Sequence, residues 1–282
     1  KPLLNQQLQV QVLLFPALLG VLAKWSPAPL SNLIDCCNKV ESYLVDDQLI
    51  LLKSTVPPGT TREIVNKIIT KNKSVDVVFS PERLAEGKAI SELQKLPIVV
   101  GGINENSSKR GCLFWEKTLK VKTIDVKNAE TAEMVKLADN AWIDLNIALA
   151  NDLARLIDNI PYKIDVLEVI RAANSLNKGT SFVNILLPSN GVGGYCLTKD
   201  PWFLYSLGAK NNVDLATVKS SRISNEQMPM HTAKLIKKFF IDKGYSLDRV
   251  KLAVLGLSFK TDSGDIRYSP VIPFLEIMAD FG

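Results

Sequence analysis

Histidine is almost missing from this chain. Of 282 residues only His231 is a histidine, and no G-x-S-x-G stands anywhere to go with it, so a Ser-His-Asp hydrolase has nothing to be built from. Cysteine is scarce too. Cys36, Cys37, Cys112 and Cys196 are irregularly spaced, without a C-x-x-C pair. No metal site is expected from that spacing, and no disulfide framework; free thiols in a reducing cytoplasm are the expectation. The net charge is only +5, with no dense Lys/Arg block. Nucleic acid is therefore not an expected partner, and the mild excess fits an anionic-ligand pocket or a plain solvated surface equally. No membrane-spanning run is present either. The apolar stretch Val12–Ala23 is shorter than the roughly 20 residues a spanning helix needs, and Pro16 interrupts it. As a signal-peptide core it has only Lys1 before it and no clean small-residue cleavage site after it.

What is there is ordinary in composition, 46% hydrophobic and 22% charged, and punctuated like an α/β protein. Gln48–Lys53 (Q-L-I-L-L-K), Val75–Ser80 (V-D-V-V-F-S) and Pro97–Gly101 (P-I-V-V-G) read as short buried strands. Pro57-Pro58-Gly59 stops the first, and the following threonines open a helix over Arg62–Thr70. Such alternation predicts a mostly parallel, doubly wound sheet. Ala129–Ile157 runs without Pro or Gly and predicts one long helix, with Met134, Leu137, Ala141, Leu145, Ala148 and Leu149 at helical spacing. Leu207–Ile241 predicts further helix, with a break near Pro229, and Lys251–Leu257 predicts a strand opening a second α/β unit. The expected architecture is a partial Rossmann-like sheet domain over 1–125, a central all-helical domain over 126–228, and the start of a second Rossmann-like domain over 229–282.

Three places carry groups able to do chemistry. Cys196 closes the glycine-rich stretch G-V-G-G-Y-C, with Lys199 and Asp200 behind it. A thiolate holds a carbonyl covalently, and a helical turn over 196–200 puts Cys196 and Asp200 on one face while Lys199 points elsewhere, as a charge at the surface or one standing behind the site. A buried structural cysteine in a tight turn has the same local signature. Lys136 and Asn140 stand one helical turn apart on the long helix, a base or proton relay beside an oxyanion donor, or else two solvated residues of an amphipathic helix. Glu82 and Glu86 follow the Val75–Ser80 strand, where doubly wound sheets bind ligands; equally, they are acids at a helix N-terminus.

Five motifs then occur in order: S-T-V-P-P-G-T-T (54–61), S-P-E-R-L-A-E-G (80–87), E-T-A-E-M-V-K-L-A-D-N (130–140), G-V-G-G-Y-C-L-T-K-D-P (191–201) and G-L-S-F-K-T-D-S-G-D-I-R-Y-S-P (256–270). Together they resemble the UDP-glucose/GDP-mannose dehydrogenase family of nucleotide-sugar 6-dehydrogenases, from about residue 30 to 282. The lead-in V-N-I-L-L-P (183–188) and D-P-W-F-L (200–204) are most similar to the UDP-N-acetylhexosamine branch, with UDP-N-acetylmannosamine as the implied substrate and UDP-glucose as the alternative. Ser189-Asn190 stands where a Pro-Gly-like turn is expected, and Tyr195 where many members carry His.

The resemblance implies oxidation of the sugar C6 hydroxymethyl to a carboxylate with two NAD, through a thiohemiacetal and a thioester on Cys196. It implies that Lys136 and Asn140 serve the reacting oxygen, that Asp200 orders base and water, that Glu86 assists thioester hydrolysis, and that Thr55 positions water and, with Glu86, meets the cofactor. Glu82, Arg83, Leu84, Gly191, Gly193, Gly194 and Lys260 are implied on the nucleotide sugar, Glu82 also touching Lys136, and Arg267 on the NAD. No metal is implied. A cytoplasmic homodimer built on the Ala129–Ile157 helix is. The family's G-x-G-x-x-G fingerprint is absent, and residues 1–29 do not resemble the family's opening. The expectation is a chain truncated at both ends with an anomalous start, either catalytic or an inactive fragment that binds nucleotide sugar or dimerises.

Overall fold

The computed structural model describes residues 10–13, 30–84, 88–179 and 181–281. Two compact units divide the chain, residues 1–139 and 140–282.

The first unit is built on a five-stranded sheet in the order β1 (Val10–Leu13), β2 (Leu49–Leu52), β3 (Asp76–Phe79), β4 (Ile98–Gly102), β5 (Thr123–Asp125). Pairs β1–β2, β2–β3 and β4–β5 are parallel and β3–β4 is antiparallel. Helix α1 (Ser31–Glu41), a π-helical turn (Thr61–Asn66) running into α2 (Lys67–Ile69), α3 (Ala89–Leu93) and α4 (Glu105–Leu119) connect the strands. Because side chains alternate along a strand, β2 divides its residues between two cores. Ile50 and Leu52 join Val77, Phe79, Val65 and Ile69 on one side. Leu49 and Leu51 join Val78, Val100 and Trp115 on the other. A sheet covered on both faces needs strands apolar throughout, which is why L-I-L-L reads as an unbroken run. The sequence predicts no strand before Gln48, yet Val10–Leu13 pairs in register with Leu49–Leu52. Its two β-branched valines favour the extended backbone.

The second unit is mostly helical. Helix α5 (Ala129–Ile157), of which residues 129–139 belong to the first unit and 140–157 to the second, has the bounds its sequence predicts. Then come α6 (Val166–Ala173), a short hairpin of β6 (Asn177–Lys178) and β7 (Ser181–Phe182), α7 (Asp200–Lys210), α8 (Ala216–Asp242) and α9 (Val271–Asp280). Two expectations are corrected. Leu207–Ile241 is not one helix broken at Pro229. The break falls at residues 211–215, where Asn212 takes a left-handed backbone (φ 58°), and α8 runs on through a buried Pro229. Lys251–Leu257 is not a strand: a strand is defined by its pairing, and this segment pairs with nothing among the described residues.

Candidate active site

In the first unit the chemistry gathers where β2 and β3 end. Lys53 follows β2 directly and is buried. Its Nζ donates to the Ser80 carbonyl at 3.3 Å, pairs with the Glu82 carboxylate at 3.5 Å and lies 4.9 Å from the centre of the Trp115 ring. Burial pushes the Lys53 ammonium down from its ordinary value, Glu82 opposes that, and the neighbouring charge of Lys136 adds to it. Lys136 itself is buried on α5, which removes the solvated-face alternative. Glu82 precedes α3 by several residues and caps no helix among the described residues; its carboxylate also accepts the Leu84 N–H at 3.0 Å. Arg83 donates to Asp139 at 2.8 Å. Thr55, half-buried, stands in the turn after β2. Glu86 lies outside the described residues.

That turn is held from α5. Pro57-Pro58-Gly59 is a tight turn closed by Thr60 N–H on the Pro57 carbonyl at 3.2 Å, with Gly59 at φ 96°, a conformation that favours glycine. The fully buried Glu133 accepts from Gly59 N–H (2.6 Å), Thr61 N–H (2.7 Å) and Thr61 Oγ1 (2.6 Å). Burial pushes the Glu133 carboxyl up to about 7 against those three donors.

In the second unit Asn140, buried on α5, donates through Nδ2 to Asp200 Oδ2 at 2.5 Å. Asp200 is fully buried at the start of α7. Of the two places expected for Lys199 the structure has the one behind the site: its Nζ donates to Asp200 Oδ1 and stands 4.1 Å over the Phe203 ring. The main-chain N–H of Asp200 donates to the Cys196 carbonyl at 2.8 Å, the helical turn predicted for 196–200. Cys196 is exposed, so the buried structural cysteine is excluded. Of the glycines before it, Gly191 (φ 119°) and Gly194 (φ 84°) have left-handed backbones. A Cβ on Gly193 would stand 2.4 Å from Phe259 and one on Gly194 2.7 Å from its ring, so the room left by those side chains is taken by Phe259. Gly194 N–H donates to the Arg267 carbonyl at 3.1 Å. The Arg267 guanidinium lies 5.8 Å from the Tyr195 ring and chelates Asp265, holding that carboxyl down to about 2. Lys260 follows Phe259 in the same segment, half-buried.

Sequence reasoning missed Lys53, Glu133 and the pairing of Lys199. Lys53 had a signal: a lysine at the C-terminal end of an otherwise apolar strand, where such sheets bind ligands. Glu133 had none, because its donors lie more than seventy positions away.

The open ends of parallel β1 and β2 and the Thr55 turn fit one wall of a dinucleotide site. The connection from β1 to α1 lies outside the described residues.

Residues 23–119 match the NAD binding domain of the UDP-glucose/GDP-mannose dehydrogenase family, and residues 130–227 match its central domain. The chain is 35% identical to the UDP-N-acetyl-D-mannosamine dehydrogenase of Methanocaldococcus jannaschii over 253 residues, 90% of this chain and 55% of that protein. The structure of a UDP-D-ManNAc dehydrogenase from Pyrococcus horikoshii superposes with a TM-score of 0.80 at 32% identity, over 89% of this chain and 59% of that one. A UDP-glucose dehydrogenase from Pyrobaculum islandicum superposes with a TM-score of 0.75 at 25% identity, over 92% and 60%. The chain thus spans little more than half the length of the relatives it matches. The cofactor of this family is NAD. With five motifs in order, both domain matches and a sheet of the same architecture, the chain belongs to the UDP-glucose/GDP-mannose dehydrogenase family.

Proposed function

We propose that this protein serves the NAD-dependent oxidation of the C6 hydroxymethyl of a UDP-N-acetylhexosamine, UDP-N-acetylmannosamine first, to the uronate. The observation that carries the reading is an exposed thiol, Cys196, whose own main chain is bonded to Asp200, a buried carboxylate held by Lys199 and by the buried Asn140. When bound, NAD accepts the hydride of each oxidation. Lys136 takes the hydroxyl proton in the first, leaving an aldehyde. Cys196 Sγ then bonds to C6, its proton passing to the aldehyde oxygen, and the carbon becomes tetrahedral. This step is required because an aldehyde does not readily give up a second hydride. Asn140 donates to the oxygen while it carries charge. In the second oxidation the hydride leaves C6 and the thiohemiacetal hydroxyl gives its proton to Lys136, which has released the first to solvent, so that C6 becomes a thioester. Water, held by Thr55 and Asp200 and deprotonated with help from Glu86, adds to C6; the Sγ–C6 bond breaks and the thiol recovers a proton. Arg83, Leu84 and Lys260 hold the nucleotide sugar, Gly191, Gly193 and Gly194 let the loop before the thiol pack closely on its neighbours, Glu82 steadies the two lysines, and Arg267 meets the cofactor.

The working form in this reading is a cytoplasmic homodimer. Trp142, Leu149 and Leu156 recur every seventh residue on α5 and are 60%, 48% and 58% exposed, a stripe suited to a second copy of the helix.

The experiment is direct. The purified chain is mixed with NAD and UDP-N-acetylmannosamine, UDP-N-acetylglucosamine, UDP-glucose or GDP-mannose in turn, and NADH is followed by absorbance. Two NADH per sugar from the first, and none from Cys196→Ser, is the expected result. An active serine variant overturns the covalent step. Binding of the sugar without turnover identifies a chain that recognises nucleotide sugar but does not oxidise it.

A further inference from the structure

Residues 184–189 belong to no helix or strand, yet their main chain is bonded. Asn174 accepts from Ile185 N–H at 2.7 Å and donates to its carbonyl at 2.8 Å. Asn146 accepts from Leu186 N–H at 2.8 Å and donates to the Asn184 carbonyl at 2.6 Å. Asn151 accepts from Ser189 N–H at 2.8 Å. Three side-chain amides do what a neighbouring strand would do.

The last of them is fixed from behind. Asn151 Nδ2 donates to Asn225 Oδ1 at 2.9 Å. Asn225 Nδ2 donates to Asp144 Oδ1 at 2.8 Å and to the Asp144 carbonyl at 3.0 Å. Arg222 donates to the same Asp144 oxygen at 2.5 Å. All four residues are buried. An ionised carboxylate only accepts, so Asp144 forces Asn225 to present its NH2. That turns Asn225 Oδ1 toward the NH2 of Asn151, and leaves Asn151 Oδ1 facing Ser189 N–H. One charge therefore sets the polarity of the whole relay.

Asn225 also shapes the loop through its main chain. Pro229 has no N–H to bond the carbonyl four residues back, which is that of Asn225. Gly191 lies against this carbonyl: a Cβ at position 191 would be 2.9 Å from its oxygen and 3.1 Å from Pro270. At the far end of the same loop Asn140 holds Asp200. Asn140 and Asn151 are eleven positions, about three turns and ~16 Å, apart on α5, and so share a face.

We infer that Asn151 is a positioning residue for Cys196. The Asp144–Asn225–Asn151 relay anchors the entry of the 189–200 loop to α5, as Asn140 anchors its exit, and the thiol is suspended between the two. The inference rests on the reading of Cys196 as nucleophile.

The test reads the thiol itself. Cys196 alkylation by iodoacetamide is followed residue by residue by mass spectrometry from pH 6 to 9, with half-buried Cys112 as internal reference. Asn151→Leu and Asn225→Leu should each change the Cys196 rate by at least about fivefold and displace its pH dependence, with Cys112 unmoved. The double variant should go no further than either single one, because both cut one relay. Folded variants whose Cys196 keeps the unaltered rate and pH profile overturn the proposal. Should the variants not fold, amide exchange at Ser189 in the unaltered chain decides: protection supports the anchor, and exchange at the free-peptide rate overturns it. NADH formation is measured alongside. An unaltered chain that forms none defeats the proposed function, while the alkylation rates still decide the relay.

Discussion

Asn140 Nδ2 lies 2.5 Å from Asp200 Oδ2, both residues buried, with sixty positions of chain between them. The other oxygen of the same carboxylate accepts from Lys199, and the Asp200 N–H reaches back to the Cys196 carbonyl. One carboxylate thus joins the helix that bears Asn140 to the turn that bears the thiol, while capping charge at the start of α7.

Asp200→Asn keeps the shape and removes the charge. NADH formation on the preferred sugar should fall by roughly 100-fold or more, and urea unfolding should show a loss of ~1–3 kcal/mol because Lys199 loses its partner. Wild-type turnover with an unchanged midpoint would show that the carboxylate is a bystander.

Glu133 predicts a pH dependence of stability. Burial raises its folded-state value to about 7 from 4.5, so the folded chain holds this proton more tightly than the unfolded chain. Its contribution is fully present below about 4.5 and is lost as pH rises through about 7, at most roughly 3 kcal/mol in all. Denaturant unfolding at pH 5 and pH 8 should show the decline, and Glu133→Gln should flatten it. An equally steep decline in the variant would assign it to other groups.

The Arg222–Asp144 pair predicts an asymmetry. Both side chains are buried, and burial pushes the Asp144 carboxyl up despite Arg222. Arg222→Met alone strands a carboxylate and should cost about 3–5 kcal/mol, less at pH 5 than at pH 8 because Asp144 can then take up a proton. Adding Asp144→Leu should return part of that loss. A double variant as weak as the sum of the singles would mean the pair is not coupled.

The apolar stripe of α5 predicts an oligomer. Trp142→Glu with Leu149→Glu should move the mass measured by light scattering from two copies to one with helicity retained; an unaltered chain that is already a monomer refutes the homodimer.

Much of the fold was legible. L-I-L-L, V-D-V-V-F-S and P-I-V-V-G announced buried strands because strands covered on both faces have no polar side to show, and α5 was legible to its ends because neither Pro nor Gly interrupts it. Lys251–Leu257 was misread because it has a strand's composition without a partner to pair with among the described residues. The helix break was sought at Pro229, where the lost hydrogen bond suggests it, and fell instead at Asn212, whose left-handed turn carries no comparable mark. The site was legible as types of residue: a thiol after glycines, a lysine and an amide one turn apart, and carboxylates after a strand.

The sequence by itself determined the covered sheet, the long helix and the stock of thiol, lysine, amide and carboxylates, and five of its motifs carried the resemblance to the family, since each is written within a few neighbouring residues. Only the tertiary structure decided that Cys196 is exposed while Lys136, Asn140 and Asp200 are buried, that Phe259 takes the room beside the glycines, and that Asp144 orients Asn225 and Asn151. Burial and hydrogen-bond polarity arise between segments sixty to eighty residues apart, and no local pattern along a chain records which distant group will arrive.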